Sequence, residues 1–214
     1  MQLYSYFRSS AAFRVRIALE LKGLSFDIVP VHLLKDGGQQ RTPEYLARNP
    51  DGLVPLLVDG DHVLNQSLAI IEYLDETYPQ PSLLPGDAAQ RAHIRALALA
   101  IACEIHPLNN LRVLKYLKRT LEVSEDEKDA WYRHWITLGF SALEQRLASD
   151  VRTGRYCVGD TPTLADACLV PQVFNAQRFA VDLTPYPTIS RVFAECMQLE
   201  AVQRAVPAAQ PDAE

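Results

Sequence analysis

The sequence has no long hydrophobic run. Its longest uninterrupted apolar stretch covers residues 96–103, whereas a helix that crosses a bilayer needs about 20 apolar residues. The first ten residues, MQLYSYFRSS, have no basic beginning, and Arg8 interrupts the apolar core that a secretory signal requires. We therefore expect a cytoplasmic protein that does not associate with membranes.

Basic residues are also in the minority, with 21 lysines and arginines against 26 acidic residues and a net charge of −5. This balance repels polyanions and argues against a nucleic-acid partner. The five histidines form no H-E-x-x-H motif, so we expect no metal ion. The four cysteines form no C-x-x-C pair and each stands in an apolar stretch, which predicts buried, reduced thiols. They are Cys103, Cys157, Cys168 and Cys196.

Signals for strands and helices alternate in the first part of the chain. Residues 3–7 and 26–32 combine the aromatic and β-branched residues that are typical of strands. Between them, apolar residues recur at helical spacing until Gly23, which is a stop signal. This pattern predicts a strand, a helix and a second strand.

A hairpin and another helix follow. Residues 54–64 carry two apolar stretches around Asp59 and Gly60, a dipeptide that favours a two-residue turn between strands. Helical spacing then returns and ends near Pro79. The first part of the chain therefore reads as strand, helix, strand, a linker, two strands and a helix.

The remainder of the sequence predicts only helices. The proline-rich segment 79–85 ends the mixed pattern, and long helical periodicity then runs through residues 88–118, interrupted at Pro107, and 125–148. The last of these segments is predicted to place four side chains in the core, namely Trp131, Trp135, Leu138 and Leu143.

Two smaller features complete this second part. Thr163 precedes Asp166 by three residues, a capping-box spacing that we interpret as structural. The tail, residues 205–214, has low complexity and is expected to be frayed. The chain is thus predicted to divide into a first domain of residues 1–80, a linker of residues 81–86 and an all-helical domain of residues 87–214.

Polar residues mark two of the helix starts. Ser9 and Ser10 stand between a strand and a helix, and Gln66 and Ser67 begin another helix. Backbone N–H groups at a helix start point outward and favour an anion or a thiolate. For each pair taken alone, N-capping is the simpler interpretation. Two such helix starts, one on each side of an NPDGLVP segment, form a combination that is more specific than either start alone.

Several segments have a combined pattern that no generic fold would produce. They are SYFRSSAAFRVRIAL from Ser5, LKDGGQQ from Leu34, NQSLAIIEYL from Asn65, IHPLNNLRVLKYL from Ile105 and YCVGDTPTLAD from Tyr156. In these segments the chain resembles the zeta class of soluble glutathione transferases, along nearly its whole length. The resemblance implies a thioredoxin-like βαβαββα domain with a cis Val54–Pro55 bond, an all-α C-terminal domain, a homodimer, and glutathione bound between the two domains.

The resemblance also assigns the residues that bind glutathione. It places Gln66 and Ser67 at the γ-glutamyl end and the backbone of Val54 at the cysteinyl amide, where a strand edge pairs with a peptide. The remaining positions are Gln40 at the glycyl end, Ser9 and Ser10 at the sulfur, and His106 and Asn110 among polar residues of the cleft. Residues at the last two positions could instead satisfy backbone groups freed near Pro107.

Three arginines fall in segments that resemble the substrate side of these enzymes. Arg8, Arg112 and Arg178 each offer a planar fork of donors that suits a carboxylate, and three such cations suggest a diacid. A surface or structural ion pair is the alternative for each of them. Arg14 and Arg16 are expected to serve helix packing and domain contacts.

The activity implied by the resemblance is the glutathione-dependent cis–trans isomerisation of maleylacetoacetate to fumarylacetoacetate. Reversible addition of a thiolate makes the maleyl double bond temporarily single, with Ser9, Ser10 and Arg8 as catalytic residues. The same chemistry on maleylpyruvate and a transferase reaction on small α-halo acids are alternatives. The polar residues at both helix starts argue against a non-catalytic binding module.

Overall fold

The computed structural model of the protein describes residues 1–214. The strands are β1 (Gln2–Ser5), β2 (Asp27–Pro30), β3 (Leu56–Asp59) and β4 (His62–Asn65). The helices are α1 (Ser10–Leu21), α2 (Pro43–Leu46), α3 (Ser67–Thr77), α4 (Ala88–Ala102), α5 (Leu111–Arg119), α6 (Glu125–Ser149), α7 (Leu164–Arg178), α8 (Pro187–Met197) and α9 (Glu200–Ala205). None of the helices is both long and apolar enough to cross a membrane.

The chain forms two compact units. The first contains Met1–Leu83 together with Met197–Glu214, and the second contains Leu84–Cys196. The predicted assignment of all residues 87–214 to one helical domain differs from this division. The reason is that α9 packs against α1, so the end of the chain returns to the first unit.

The first unit is built on a mixed four-stranded sheet. Strand β1 runs parallel to β2 and antiparallel to β3, and β3 pairs antiparallel with β4, which gives the order β2-β1-β3-β4. Helix α1 buries Phe13, Ile17 and Leu19 and packs against α3. The predicted βαβαββα order is confirmed.

The hairpin between β3 and β4 is confirmed, but its turn is displaced by one residue. Asp59 pairs with His62, so Gly60 and Asp61 form the two-residue loop. Gly60 has a φ of +56°, a conformation that glycine adopts without steric cost. Asp59 instead accepts hydrogen bonds from the hydroxyl groups of two tyrosines on the segment that follows β4.

The second unit contains only helices, as predicted. Helix α4 packs against α6 and α7. The core positions predicted on α6 are buried or half-buried except Leu138, whose side chain is 57% exposed, so that part of the prediction is wrong. Asp166 accepts hydrogen bonds from Thr163 N and Oγ1 and from Cys157 N, at 2.8, 2.9 and 2.8 Å, which confirms its structural role.

Two expectations about the chain's surface are wrong. Three of the four thiols are buried, but Cys103 is exposed because it caps the C-terminal end of α4. The tail is not frayed, since the Gln210 side chain is only 8% exposed and donates hydrogen bonds to Arg204 O and Val206 O, at 2.9 and 3.0 Å. An amide that satisfies two carbonyl groups fixes this segment in one conformation.

Candidate active site

The strand register brings four separate segments to one edge of the sheet. The pairs at this edge are Ser5 with Pro30, Tyr4 with Leu56, and Leu56 with Asn65. Strands β1, β2 and β4 therefore end where β3 begins. The residues predicted to bind glutathione follow or precede these strand ends, and they are Ser9, Ser10, Gln40, Val54, Gln66 and Ser67. Topology alone thus gathers residues that lie far apart in the sequence.

The two serines at the start of α1 have different environments. Ser9 is the N-cap, and its hydroxyl oxygen accepts a hydrogen bond from Ala12 N at 3.2 Å. Ser10 is the first helical residue and is 8% exposed. The capping interpretation is therefore confirmed for Ser9, whose hydroxyl proton stays available to another acceptor. Both residues lie where the helix N-terminus favours negative charge.

Arg8 precedes this helix and is exposed. Its Nε and Nη2 atoms donate to the hydroxyl oxygen of Tyr6 at 3.2 and 2.9 Å, and its guanidinium lies 4.9 Å from the centre of the Phe7 ring. The tyrosine and the cation–π contact orient the guanidinium of Arg8, which directly precedes Ser9 and Ser10 in the chain. Nη1 keeps donors for a ligand.

The backbone just before β3 is held by hydrogen bonds to one of its carbonyl oxygens. The Val54–Pro55 bond is cis, as the resemblance implied. The carbonyl oxygen of Leu53 accepts hydrogen bonds from Tyr45 Oη at 2.5 Å and from Asn49 Nδ2 at 2.8 Å. Burial raises the pKa of Tyr45 to about 12, so its hydroxyl remains a donor at neutral pH. Val54 itself lies outside the strand ladder, which leaves its backbone groups available to a peptide ligand.

The start of α3 lacks the side-chain cap that its sequence suggests. Gln66 stands at the N-cap position with φ +65° and ψ +112°, and its side chain makes no capping hydrogen bond. A non-glycine residue in this left-handed region is strained, and such strain concentrates at functional sites. The capping interpretation is therefore wrong for Gln66, and the first N–H groups of α3 remain available to an anion.

Ser67 is oriented by a buried arginine of α1. Its hydroxyl oxygen accepts a hydrogen bond from Arg14 Nη1 at 3.3 Å, and the two residues are 6% and 2% exposed. Because the oxygen accepts from Arg14, the hydroxyl proton is directed to a different acceptor. The arrangement adds a donor and a nearby positive charge to the start of α3.

Gln40 lies in a 3₁₀ turn after β2 and is 6% exposed. Its Nε2 is 3.5 Å from Leu33 O, at the limit of a hydrogen bond, and its buried Oε1 has no hydrogen-bond partner. A side chain on Gly38, which has φ +110°, would come within 2.7 Å of this amide. A buried amide with an unsatisfied atom is what a bound polar group would complete.

The remaining candidates belong to the second unit. His106 begins a 3₁₀ turn, and Asn110 caps α5 by accepting a hydrogen bond from Arg112 N at 3.1 Å. The cap is a structural role for Asn110, but the group that it satisfies belongs to the start of α5 and is not one freed by Pro107. Arg178 is the last residue of α7 and is exposed, with its guanidinium 5.2 Å from the Phe179 ring centre. These residues occupy three separate elements.

One residue beside this edge is not predicted from the sequence, and another is predicted only to serve in packing. Asp212 Oδ2 accepts a hydrogen bond from Phe7 N at 3.0 Å, across a separation of 205 residues. Arg16, which is 0% exposed, donates to Phe7 O at 3.0 Å. The packing role expected of Arg16 is confirmed. No local pattern marks Asp212, because only tertiary packing brings the tail to this loop.

Comparison with known proteins defines the class to which the chain belongs. The Glutathione S-transferase N-terminal domain model matches residues 3–82, and the Glutathione S-transferase C-terminal domain model matches residues 133–200. A probable maleylacetoacetate isomerase of Vibrio cholerae is 53% identical over 99% of this chain and 97% of its own length. The chain belongs to the glutathione S-transferase family.

Two solved structures are similar to the chain over its full length. The holo structure of a maleylpyruvate isomerase, a bacterial glutathione S-transferase of the zeta class, has a TM-score of 0.97 and 52% identity over 100% of both chains. A maleylacetoacetate isomerase of Methylobacterium extorquens AM1, solved with malonate and glutathione, has a TM-score of 0.96 and 42% identity over 100% of both chains. The predicted zeta-class resemblance is confirmed.

Proposed function

We propose that this protein is a glutathione-dependent cis–trans isomerase that converts maleylacetoacetate to fumarylacetoacetate. The observation that carries the proposal is full-length identity of 53% to a probable maleylacetoacetate isomerase. It is supported by the gathering of every candidate of the first unit at one edge of the sheet. Maleylpyruvate is the second candidate substrate, because a maleylpyruvate isomerase is almost equally similar.

The residues at the sheet edge fit glutathione. The uncapped start of α3 and the Ser67 hydroxyl suit the γ-glutamyl carboxylate. The backbone of Val54 suits the peptide portion, since an extended ligand pairs with a strand edge. Gln40 suits the glycyl end, because its unpartnered Oε1 can accept from the glycyl N–H and its weakly bonded Nε2 can donate to the glycyl carboxylate. Ser9 and Ser10 then lie at the sulfur.

The chemistry supplied by bound glutathione is a thiolate that adds reversibly to the maleyl double bond and so permits rotation. The residues of the chain would keep that sulfur in its thiolate form. A free thiol has a pKa of about 8.5, and donors at a helix N-terminus lower it. Ser9, Ser10 and the first N–H groups of α1 would act in this way.

The arginines would hold the diacid and the negative charge that develops on it. Fixed guanidinium groups stabilise a developing anion without reorganisation at the moment of reaction. Arg8 has its orientation set by Tyr6, and Arg178 has its orientation set by Phe179. Arg112 is exposed on the first turn of α5 and is the third candidate.

The direct test is an isomerase assay on both diacids with purified protein, with and without glutathione. We expect turnover only in the presence of glutathione, with kcat/KM higher for maleylacetoacetate. Equal rates without glutathione would refute the mechanism. A higher kcat/KM for maleylpyruvate would reassign the substrate and leave the mechanism intact.

The homodimer and the cytoplasmic location implied at the outset stay predictions. Light scattering coupled to size-exclusion chromatography tests the first, with twice the chain mass as the expected result. A mass equal to one chain would contradict it.

Arg178→Ala is expected to raise KM for the diacid roughly 10- to 100-fold, because a charge-assisted hydrogen bond contributes about 1.5–3 kcal/mol. Glutathione affinity should stay nearly unchanged, as measured by calorimetric titration. Arg155→Ala is the matched control, since it removes the same charge from an exposed ion pair with Glu195 in the same unit. A collapse of glutathione affinity in Arg178→Ala would show that Arg178 is misplaced.

Gln40→Glu is expected to raise KM for glutathione at least about fivefold, since two like charges near 4 Å repel by about 1 kcal/mol even in water. Gln39→Glu is the control. It adds the same charge one residue away and keeps the oxygen that accepts from His32 N. Equal KM values in the two variants would contradict the placement of Gln40 at the glycyl carboxylate.

A further inference from the structure

The loop between β1 and α1, residues 6–9, is held from the side of α1 by a buried guanidinium. Arg16 is 0% exposed. Its Nη2 donates to Phe7 O at 3.0 Å, and its Nη1 donates to Ser5 Oγ at 3.0 Å and approaches Tyr6 O at 3.5 Å. One cation therefore binds three consecutive residues of the segment that leads to the sulfur-end serines.

The same loop is held from the opposite side by the C-terminal tail. Asp212 Oδ2 accepts from Phe7 N at 3.0 Å, so both backbone polar groups of Phe7 are bound by charged side chains. Asp212 is itself held in place, because Ala213 N bonds to Gln210 O at 3.1 Å and Gln210 anchors the segment. Arg16 Nε also donates to Ala205 O at 2.9 Å, which joins the tail to α1.

Charge balance explains why the two residues occur together. Burial lowers the pKa of Arg16 to about 9, and the negative charge of Asp212 opposes that shift. An isolated buried cation is costly, and a nearby carboxylate together with several carbonyl oxygens reduces that cost. Arg16 and Asp212 thus form one unit around the Phe7 peptide, which we term the Phe7 clamp.

We propose that the Phe7 clamp, formed by Arg16 and Asp212, positions the start of α1 so that Ser9 and Ser10 meet the glutathione sulfur. The inference rests on the proposed function. Ser9 N donates to Tyr6 O at 2.9 Å, so the residues held by the clamp are bonded directly to the helix cap. A displacement of about 1 Å in such a site lowers rates by roughly 10²-fold. Arg16 and Asp212 are positioning residues, since they act on the sulfur through the backbone.

The test compares Asp212→Ala with Asp212→Asn in the full chain. Both variants lose the charge, but asparagine keeps an oxygen that can accept from Phe7 N, so their difference isolates the hydrogen bond. Glu200→Ala is the control, because it removes a carboxylate from an exposed ion pair with Arg204 near the same tail. Thermal unfolding of each variant tests whether the fold is retained.

The first measurement is amide hydrogen exchange of Phe7 by NMR in protein free of glutathione. We expect exchange about tenfold faster in Asp212→Ala, because a hydrogen bond to a charged group is lost, and near the wild-type rate in Asp212→Asn and Glu200→Ala. The second is the thiolate absorbance of added glutathione as a function of pH. The apparent pKa of the glutathione thiol should rise in Asp212→Ala, and kcat should be about tenfold lower at neutral pH. Both values should return to near those of the wild type in Asp212→Asn.

Unchanged exchange of Phe7 in Asp212→Ala would overturn the inference, as would faster exchange with an unchanged thiol titration. Equal defects in the alanine and asparagine variants would overturn it too, since charge and not position would then be responsible. If the wild-type protein fails to lower the thiol pKa, the proposed function fails, and this result is separate from the exchange measurement.

Discussion

Turnover is expected to fall about 10²-fold or more when Ser10 is replaced by alanine, the loss typical of removing a key donor from a charged reacting atom. Ser10 is buried at the first position of α1, where alanine is compatible with a helix, so the fold should be retained. Steady-state kinetics on the preferred diacid and the pH titration of bound thiol measure the effect. The apparent thiol pKa should rise together with the loss of turnover.

Ser9→Ala is the comparison that separates catalysis from capping. Ser9 accepts from Ala12 N as the N-cap, so its removal should lower the free energy of unfolding by about 1 kcal/mol. If Ser9→Ala loses stability and Ser10→Ala loses only turnover, Ser9 is the structural cap and Ser10 is the catalytic donor. Unchanged turnover in Ser10→Ala, with loss in Ser9→Ala, would transfer the catalytic donor to Ser9.

Lys22→Ala is expected to destabilise the first unit by about 3–5 kcal/mol, because it leaves the carboxylate of Asp75 buried without its counter-charge. The Lys22 side chain is 0% exposed and its Nζ lies 2.8 Å from Asp75 Oδ1. The same nitrogen donates to Tyr78 O and Pro81 O, each at 2.7 Å. One lysine thus joins the end of α1 to α3 and to the segment that follows α3.

Urea unfolding measures this prediction against Arg204→Ala. Arg204 is in the same unit and pairs with Glu20 at 2.7 Å, but its side chain is 49% exposed. An exposed pair contributes about 1 kcal/mol or less. Similar losses in the two variants would show that burial does not govern the strength of the Lys22 pair.

The same pair sets an acid dependence. Burial alone would raise the pKa of Asp75, but hydrogen bonds from Lys22, Leu83 N and Ser82 outweigh burial and hold it below its usual value. A depressed native pKa contributes stability that is complete above the unfolded carboxyl pKa of about 3.9 and is lost as the pH falls through the native value. Asp75→Asn should therefore have a weaker loss of stability with acid in this range.

Much of the fold follows from local patterns. Apolar spacing predicted α1 and α6, and the alternation of signals predicted both the hairpin and the order of elements. Boundaries shifted by one or two residues, as at Asp59, because pairing with His62 and not the turn dipeptide fixed the register. The prediction for Leu138 failed because periodicity defines a helix face but not which neighbours cover it.

The candidate site was predicted in its composition but not in its geometry. Residue types at the helix starts and the resemblance supplied Ser9, Ser10, Gln66 and Ser67. The positive φ of Gln66 and the bond from Arg14 to Ser67 depend on how α1 and α3 pack against the sheet. Such features carry no local sequence signal.

Spacing along the chain and side-chain chemistry are sufficient to predict the class of fold and the family, and together with the resemblance they supply the residues that are predicted to bind glutathione. The return of the tail to the first unit and the bond between Asp212 and Phe7 follow only from packing in three dimensions. A contact across a separation of 205 residues leaves no periodic pattern in the sequence. It depends on the packing of α1 against the sheet, which buries the Arg16 guanidinium near the peptide that Asp212 binds.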